Sequence, residues 1–215
     1  ALQRSQACLE MLALDVQDRP EALEMVAEIQ KAQDYLHHLY EEVRGYAAPI
    51  SVKREVCHLG EVLDEAWLNL SLTRDGRKAH LHQEEDNIDL SCLVNRHSIG
   101  QLFRNILENS LSACPDPVEM QARWSESQIE GRPALLVSLR DNGPGFSPEA
   151  RRKIFDPFFT TKTQGTGLGM AIAKRIVAAH GGQIDVGVGT PPGAELLIRL
   201  PRENNHGSFA TDRHR

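Results

Sequence analysis

Ala22, Met25, Ile29, Ala32, Leu36, Leu39, Val43 and Tyr46 follow one another at spacings of 3, 4, 3, 4, 3, 4 and 3. That pattern is an apolar seam on one helix face, held for more than three heptads, with Glu24, Glu28, Lys31, Asp34, Glu41, Glu42 and Arg44 between its members. Upstream, Leu2, Ser5, Leu9, Leu12 and Val16 repeat the spacing. Between the two runs, Asp18 or its neighbour can cap, Pro20 suits a first helical turn and Glu21 suits the positive end of the helix dipole. The spacing predicts helices over 1–17 and 20–46, folded as an antiparallel hairpin. A lone hairpin leaves part of its seam open, so a second copy completing a four-helix bundle is expected. The alternative is that the hairpin packs on residues downstream of it.

Charge narrows the partners. With 24 basic against 30 acidic residues the chain carries −6. It lacks the basic excess that drives phosphate-backbone binding, so no nucleic-acid partner is expected. No run of about 20 apolar residues occurs, and Ala1-Leu2-Gln3-Arg4-Ser5-Gln6 lacks a signal-peptide core. This portion is expected in the cytoplasm, with any membrane association carried by other parts of a longer parent protein. Cys8, Cys57, Cys92 and Cys114 form no CxxC pair and read as small thiols of a reducing compartment. His80 and His82 would share a strand face, but two imidazoles alone make a poor metal site.

Pro49 ends the second helix, because the residue before a proline is pushed out of the α region. Residues 51–57 read as an extended linker. Helices over 59–73, 98–113 and 168–180 then interleave with strands over 77–84, 88–94, 118–127, 133–141, 183–188 and 194–200. Frequent hairpins, one of them around Thr190-Pro191-Pro192-Gly193, argue for an α+β fold: a mixed sheet on one side and helices on the other. The expected organisation is a hairpin at 1–50, a linker at 51–57, an α/β sandwich at 55–201 and a flexible tail at 202–215.

Four short segments carry chemistry. Asp141-Asn142-Gly143-Pro144-Gly145 closes an apolar strand, where a carboxylate beside close-approaching backbone can accept from an amino group; alone it also fits an ordinary turn. Four of the six phenylalanines fall within 146–159, and Ile154-Phe155-Asp156-Pro157-Phe158-Phe159-Thr160-Thr161-Lys162 suits a loop anchored by aromatics better than a core strand. Gly165-Thr166-Gly167-Leu168-Gly169 runs directly into a helix and can offer N–H groups and a dipole to phosphates. It is neither a Walker loop nor a Rossmann turn. Asn105 and Asn109, four apart, point from one helix face and could present amide oxygens to Mg²⁺ or make core hydrogen bonds.

In this order, the four segments resemble the N, G1, F and G2 boxes of sensor histidine kinases, whose ATP-binding domain shares a superfamily with gyrase-type topoisomerases and MutL-type repair proteins. The resemblance covers about residues 55–201, and the hairpin resembles the family's dimerisation and phosphoacceptor domain. It implies the Bergerat-type ATP-binding fold, ATP and Mg²⁺ as cofactors, a homodimer formed through the hairpin, and a response-regulator receiver domain as partner. It implies Asn105 and Asn109 as the Mg²⁺ pair, Asp141 as reader of the adenine amino group, and Gly143 and Gly145 beside the base. Phe155, Phe158 and Phe159 would anchor an ATP lid running from Phe146 to Thr166. Thr161 and Lys162 would meet the phosphates, and Gly165, Thr166, Gly167, Leu168 and Gly169 would cradle them.

Two departures sharpen the reading. ATPase relatives place a water-activating glutamate four residues before the Mg²⁺ asparagine; Asn105 stands there and cannot act as a base. Glu108 lies about 100° away around the helix and is a minor candidate general base. Slow hydrolysis and phosphoryl transfer to an imidazole are therefore expected, with Asn105, Lys162 and Glu108 as the catalytic set. Ser112 stands where many relatives carry a basic residue, leaving Arg104, Lys162 or Lys174 to neutralise phosphate. The family's acceptor, a His followed by an acid and a proline on the first helix, is not found. His37 and His38, followed by Leu39-Tyr40, do not match it. The first helix, roughly 25 Å long against roughly 40 Å for the second, leads to the expectation that the acceptor lies upstream of Ala1.

Overall fold

The computed structural model describes residues 2–50, 53–85, 87–162, 165–188 and 192–202, without the side chains of residues 2, 3, 38 and 41. The chain divides into two compact units, Ala1–Ala48 and Pro49–Arg215. The predicted tail lies almost wholly outside the described residues, as do two residues of the predicted linker and the Thr190-Pro191 half of the predicted turn.

The first unit is the helical hairpin. Helix α1 spans Leu2–Asp15 and α2 spans Pro20–Ala47, with Pro20 in the first turn and Glu21 at the positive end. The covered side of α2 takes in only part of the predicted seam, of which Ala22, Leu39 and Tyr46 are half-buried, together with neighbouring positions in its first half. Val26 is buried, Leu23, Gln30 and Gln33 are half-buried, and the Gln33 side chain donates to the Ser5 hydroxyl. Met25 (69% exposed), Ile29, Leu36 and Val43 remain open to solvent. A 3–4 spacing marks an apolar face without saying which of its members this chain covers and which it leaves open.

The second unit begins with β1 (Glu55–His58), which forms a two-stranded antiparallel sheet with β3 (Ser91–Val94). The predicted linker is thus partly a paired strand. Helix α3 is Leu59–Asn69, shorter than predicted because the chain turns at residues 70–76. Helix α4 is Arg96–Ala113, and its Asn95 cap accepts from the Ser98 N–H. Strands β2 (Ala79–Glu84), β4 (Val118–Ile129), β5 (Arg132–Asp141), β6 (Gln183–Val186) and β7 (Glu195–Pro201) form one sheet, ordered β2-β4-β5-β7-β6. Only β2 and β4 run parallel in it, so the sheet is mixed, as predicted.

Register puts Met120, Ala122 and Trp124 of β4 opposite Asp141, Leu139 and Val137 of β5. The same row continues to Leu196 and Ile198 of β7 and Ile184 of β6. All of these are buried, whereas the alternate residues include Arg123, Ser138 and Arg199, which make polar contacts on the other face. Helix α4 packs on the buried face: the Phe103 ring meets Trp124 edge-on at 6.5 Å. Helix α6 (Gly169–Ala179) lies against α4 and buries Met170, Ile172, Ile176 and Val177. The fold is α+β: a five-stranded mixed sheet with helices on one face, and the small β1–β3 sheet beside it in the chain.

A short helix, α5 (Pro148–Lys153), interrupts what the sequence reading took as continuous loop. Its signals are ordinary ones: the Ser147 hydroxyl accepts from the Ala150 N–H, Pro148 and Glu149 occupy the first turn, and Arg151, Arg152 and Lys153 occupy the last. Among the described residues no helix is long and apolar enough to cross a membrane.

Candidate nucleotide site

Asp141 ends β5 on the apolar face of the sheet and is 8% exposed; among the described residues it is the one buried acid. A buried carboxylate needs donors, and several converge here. The N–H groups of Gly143 and Ala194 each donate to Asp141 Oδ1 at 2.9 Å, and the Ser110 hydroxyl donates to Oδ2 at 2.8 Å. The Asp141 N–H donates to the Ala194 carbonyl at 2.9 Å, locking the preceding Gly193 beside it. Gly193 has φ +117°, and a Cβ there would come within 2.1 Å of the Asp141 carbonyl oxygen, so only glycine fits. Cys114 lies under the same carboxylate; burial, reinforced by the Asp141 charge, pushes its thiol up to about 11.

Next to Asp141 a cavity opens, with Ile106, Leu139, Phe146 and Leu196 among its apolar walls and Asp141, Ser110 and Asn109 as polar lining. An apolar-walled cavity with one anionic acceptor suits a heteroaromatic base carrying an amino group. Asn142 fixes the approach: its amide donates to the Pro117 carbonyl at 2.8 Å and accepts from the Glu119 N–H at 3.0 Å.

From α4, Asn105 and Asn109 rise together, both half-buried. The Asn105 Nδ2 donates to the Gly169 carbonyl at 2.9 Å, tying α4 to the start of α6. Asn109 Oδ1 accepts from the Lys162 ammonium at 2.7 Å. Partial desolvation draws the Lys162 pKa below its ordinary range, with the Glu108 carboxylate pulling the other way. Glu108 itself is exposed and points from a different face than the two asparagines.

The glycine-rich segment has one position that only glycine can fill. Gly167 has φ +70°, and a Cβ there would sit 2.5 Å from the Phe158 carbonyl carbon. In return the Phe158 N–H donates to the Gly167 carbonyl at 3.1 Å, which holds Phe158 at φ +67°. The predicted aromatic anchor is therefore a backbone clasp as much as a hydrophobic one: Phe158 is 63% exposed, while Phe155 is half-buried with the Lys174 ammonium 5.7 Å from its ring centre. Thr160 accepts from the Lys162 N–H, Gly165 lies against the Thr160 side chain, and Thr166 accepts from the Leu168 N–H. Leu168 is fully buried, so the first turn of α6 is anchored where its N–H groups emerge. Thr161 is exposed beside Lys162. Residues 163 and 164 lie outside the described residues.

The structure thus brings Asn105, Asn109, Asp141, Gly143, Gly145, Lys162 and Gly169 into one neighbourhood around α4. Arg104 is turned into a separate groove between α3 and α4. Ser110, Cys114, Gly193 and Ala194 carry no local signal of this role, because each lies far in sequence from Asp141, Ser110 by 31 residues and Ala194 by 53. Asn142 stands in the predicted segment without an expected role. His80 and His82 stack, with His82 Nε2 3.3 Å from Glu119, but among the described residues no group of three or more His, Cys, Asp or Glu side chains could hold a metal ion.

Comparison with known proteins gives the family. Residues 94–204 match the family described as "Histidine kinase-, DNA gyrase B-, and HSP90-like ATPase". The chain belongs to this family. Within it, the chain is 32% identical over 181 residues to the C4-dicarboxylate transport sensor protein DctB of Rhizobium meliloti (strain 1021), covering 84% of this chain and 29% of that protein. It is 29% identical to the signal transduction histidine-protein kinase AtoS of Escherichia coli (strain K12), covering 83% of this chain and 29% of that one. The chain therefore spans under a third of the length of these relatives. The solved catalytic domain of histidine kinase ThkA superposes with a TM-score of 0.61 at 28% identity, over 70% of this chain and 96% of that domain. The family's ATP-binding catalytic core is what this chain carries.

Proposed function

We propose that this chain is the catalytic core of an ATP-dependent protein-histidine kinase of a two-component signalling system. The observation that carries the reading is the buried Asp141 carboxylate, held by backbone N–H groups at the wall of an apolar cavity that also adjoins Asn109. Asp141 accepts from the adenine amino group, Gly143 and Gly145 let the backbone approach the ring, and the N–H groups from Gly165 to Gly169 face the phosphates. Lys162, carried by the lid, neutralises phosphate charge, taking the place of the basic residue absent at Ser112.

The asparagine pair fits a divalent cation. Asn109 Oδ1 already holds a cation, the Lys162 ammonium, and Asn105 commits its amide nitrogen to Gly169 while its oxygen remains the acceptor end. Mg²⁺ bound there would neutralise the charge that builds on the β- and γ-phosphates. Catalysis by the chain's own residues is then positioning and electrostatics: an amide at Asn105 cannot activate water, which favours transfer to a positioned imidazole over hydrolysis. In the transfer, the γ-phosphorus–oxygen bond to ADP breaks as a nitrogen–phosphorus bond forms on the acceptor histidine, and the phosphoryl group passes on to a response-regulator aspartate.

The exposed stripe of Met25, Ile29, Leu36 and Val43 supports a homodimer through the hairpin. His37 and His38 lack the acid and proline that follow the family's acceptor, so neither is assigned that role. The test is labelled ATP followed by acid. The reading predicts no label on this chain alone and acid-labile label once a His-acid-Pro segment is joined ahead of α1. Acid-stable label would favour a serine kinase, and acid-labile label on the chain alone would move the acceptor into α2.

A further inference from the structure

We infer that Ser110 is a specificity-determining residue of the base pocket, setting the preference for a 6-amino over a 6-oxo purine; the inference rests on the reading of this cavity as the adenine site. Ser110 sits in the last turn of α4, directly after Asn109, and is buried. Serine is an indifferent helix former, and inside helices its hydroxyl commonly turns back to its own backbone. Here it crosses instead to the sheet and donates to Asp141 Oδ2 at 2.8 Å, and both residues line the cavity.

The consequence follows from counting donors and acceptors. Asp141 Oδ1 is occupied by two backbone N–H groups, from Gly143 and Ala194. Oδ2 is the oxygen whose remaining lone pair can serve a ligand, and the serine hydrogen fixes where that oxygen points. Once its hydrogen is committed, the Ser110 oxygen has only lone pairs to offer. The wall formed by Ser110 and Asp141 is then an all-acceptor surface. An exocyclic amino group brings two N–H donors to it. A 6-oxo group brings an acceptor, which leaves buried acceptors facing one another.

The test is titration of the whole chain with ADP and with IDP, its 6-oxo analogue, for the wild type, Ser110→Ala and Ser110→Thr. Thermal melting confirms that each variant is folded. The wild type should prefer ADP. Ser110→Ala should lower the ADP-to-IDP preference by about five- to tenfold, chiefly through weaker ADP binding, and Ser110→Thr should restore most of it. An unchanged ratio in Ser110→Ala, or equal weakening of both nucleotides, would overturn the specificity role and leave the adenine site standing. Wild-type protein that binds ADP and IDP equally, or neither, would instead overturn the adenine reading itself and this inference with it.

Discussion

The Lys162 ammonium donates to Asn109 Oδ1 at 2.7 Å, joining residues 53 apart in sequence. The contact links the loop that follows the phenylalanine cluster to the helix bearing the asparagine pair. It places a positive charge beside Asn109 in a chain that has Ser112 where many relatives carry a base.

Replacing Lys162 with Met keeps the apolar stem and removes the charge. ATP affinity should fall by about five- to tenfold while ADP affinity changes less, because the lost interaction is with the terminal phosphate. The lysine also titrates early, since partial desolvation lowers its pKa. As pH rises towards that lowered value its charge disappears, so wild-type ATP affinity should decline on the alkaline side and that of Lys162→Arg should not. Calorimetric titration over a pH series reads both effects.

His180 gives the fold a dependence on acid. It is 2% exposed, its Nδ1 hydrogen-bonds the Ile176 carbonyl at 2.8 Å, and its Nε2 accepts from the Asn95 N–H at 3.0 Å, so the ring is held neutral at the start of α4. Desolvation lowers its pKa, helped by nearby Arg54 and opposed by the Ile176 bond. The unfolded chain binds the proton more readily, so this contribution is complete above the unfolded value of about 6.5 and is lost as pH falls below it. Urea midpoints should drop between pH 7 and pH 5. His180→Gln should be less stable at pH 8 but show a shallower drop, and parallel profiles would refute the assignment.

Leu36→Glu should disrupt assembly without unfolding the second unit. Leu36 is 54% exposed in the single chain and stands in the middle of the open stripe of α2. Light scattering should show a concentration-dependent dimer for the wild type, since mass action governs such an equilibrium, and a monomer for the variant. Wild-type protein that stays monomeric at high concentration contradicts the dimer.

What the sequence disclosed and what it withheld divide along physical lines. Asp141, Asn105, Asn109 and the run from Gly165 to Gly169 were legible because each is an unusual residue choice for its local structure. An acid ending an apolar strand, amides inside a helix and glycines before one all need a reason. Ser110 was not legible, because a serine in a helix signals nothing until the sheet it faces is known. Gly193 and Ala194 escaped for the same reason: their contact with Asp141 is made across neighbouring strands. The α5 signals at Ser147, Pro148 and Glu149 are ordinary ones, but a helix of six residues has too short an apolar period to stand out from a loop. The hairpin was legible, whereas which members of the α2 seam are covered within one chain depends on packing that periodicity does not encode.

The central claim is that Asp141 reads the base of ATP, and a single titration addresses it. Calorimetry of MgATP with the wild type and Asp141→Asn compares an anionic acceptor with an amide of nearly the same shape at the same place. The account predicts a loss of about 1–3 kcal/mol, roughly tenfold or more in Kd, with thermal melting showing a folded variant. Equal affinity in the two folded proteins would contradict it.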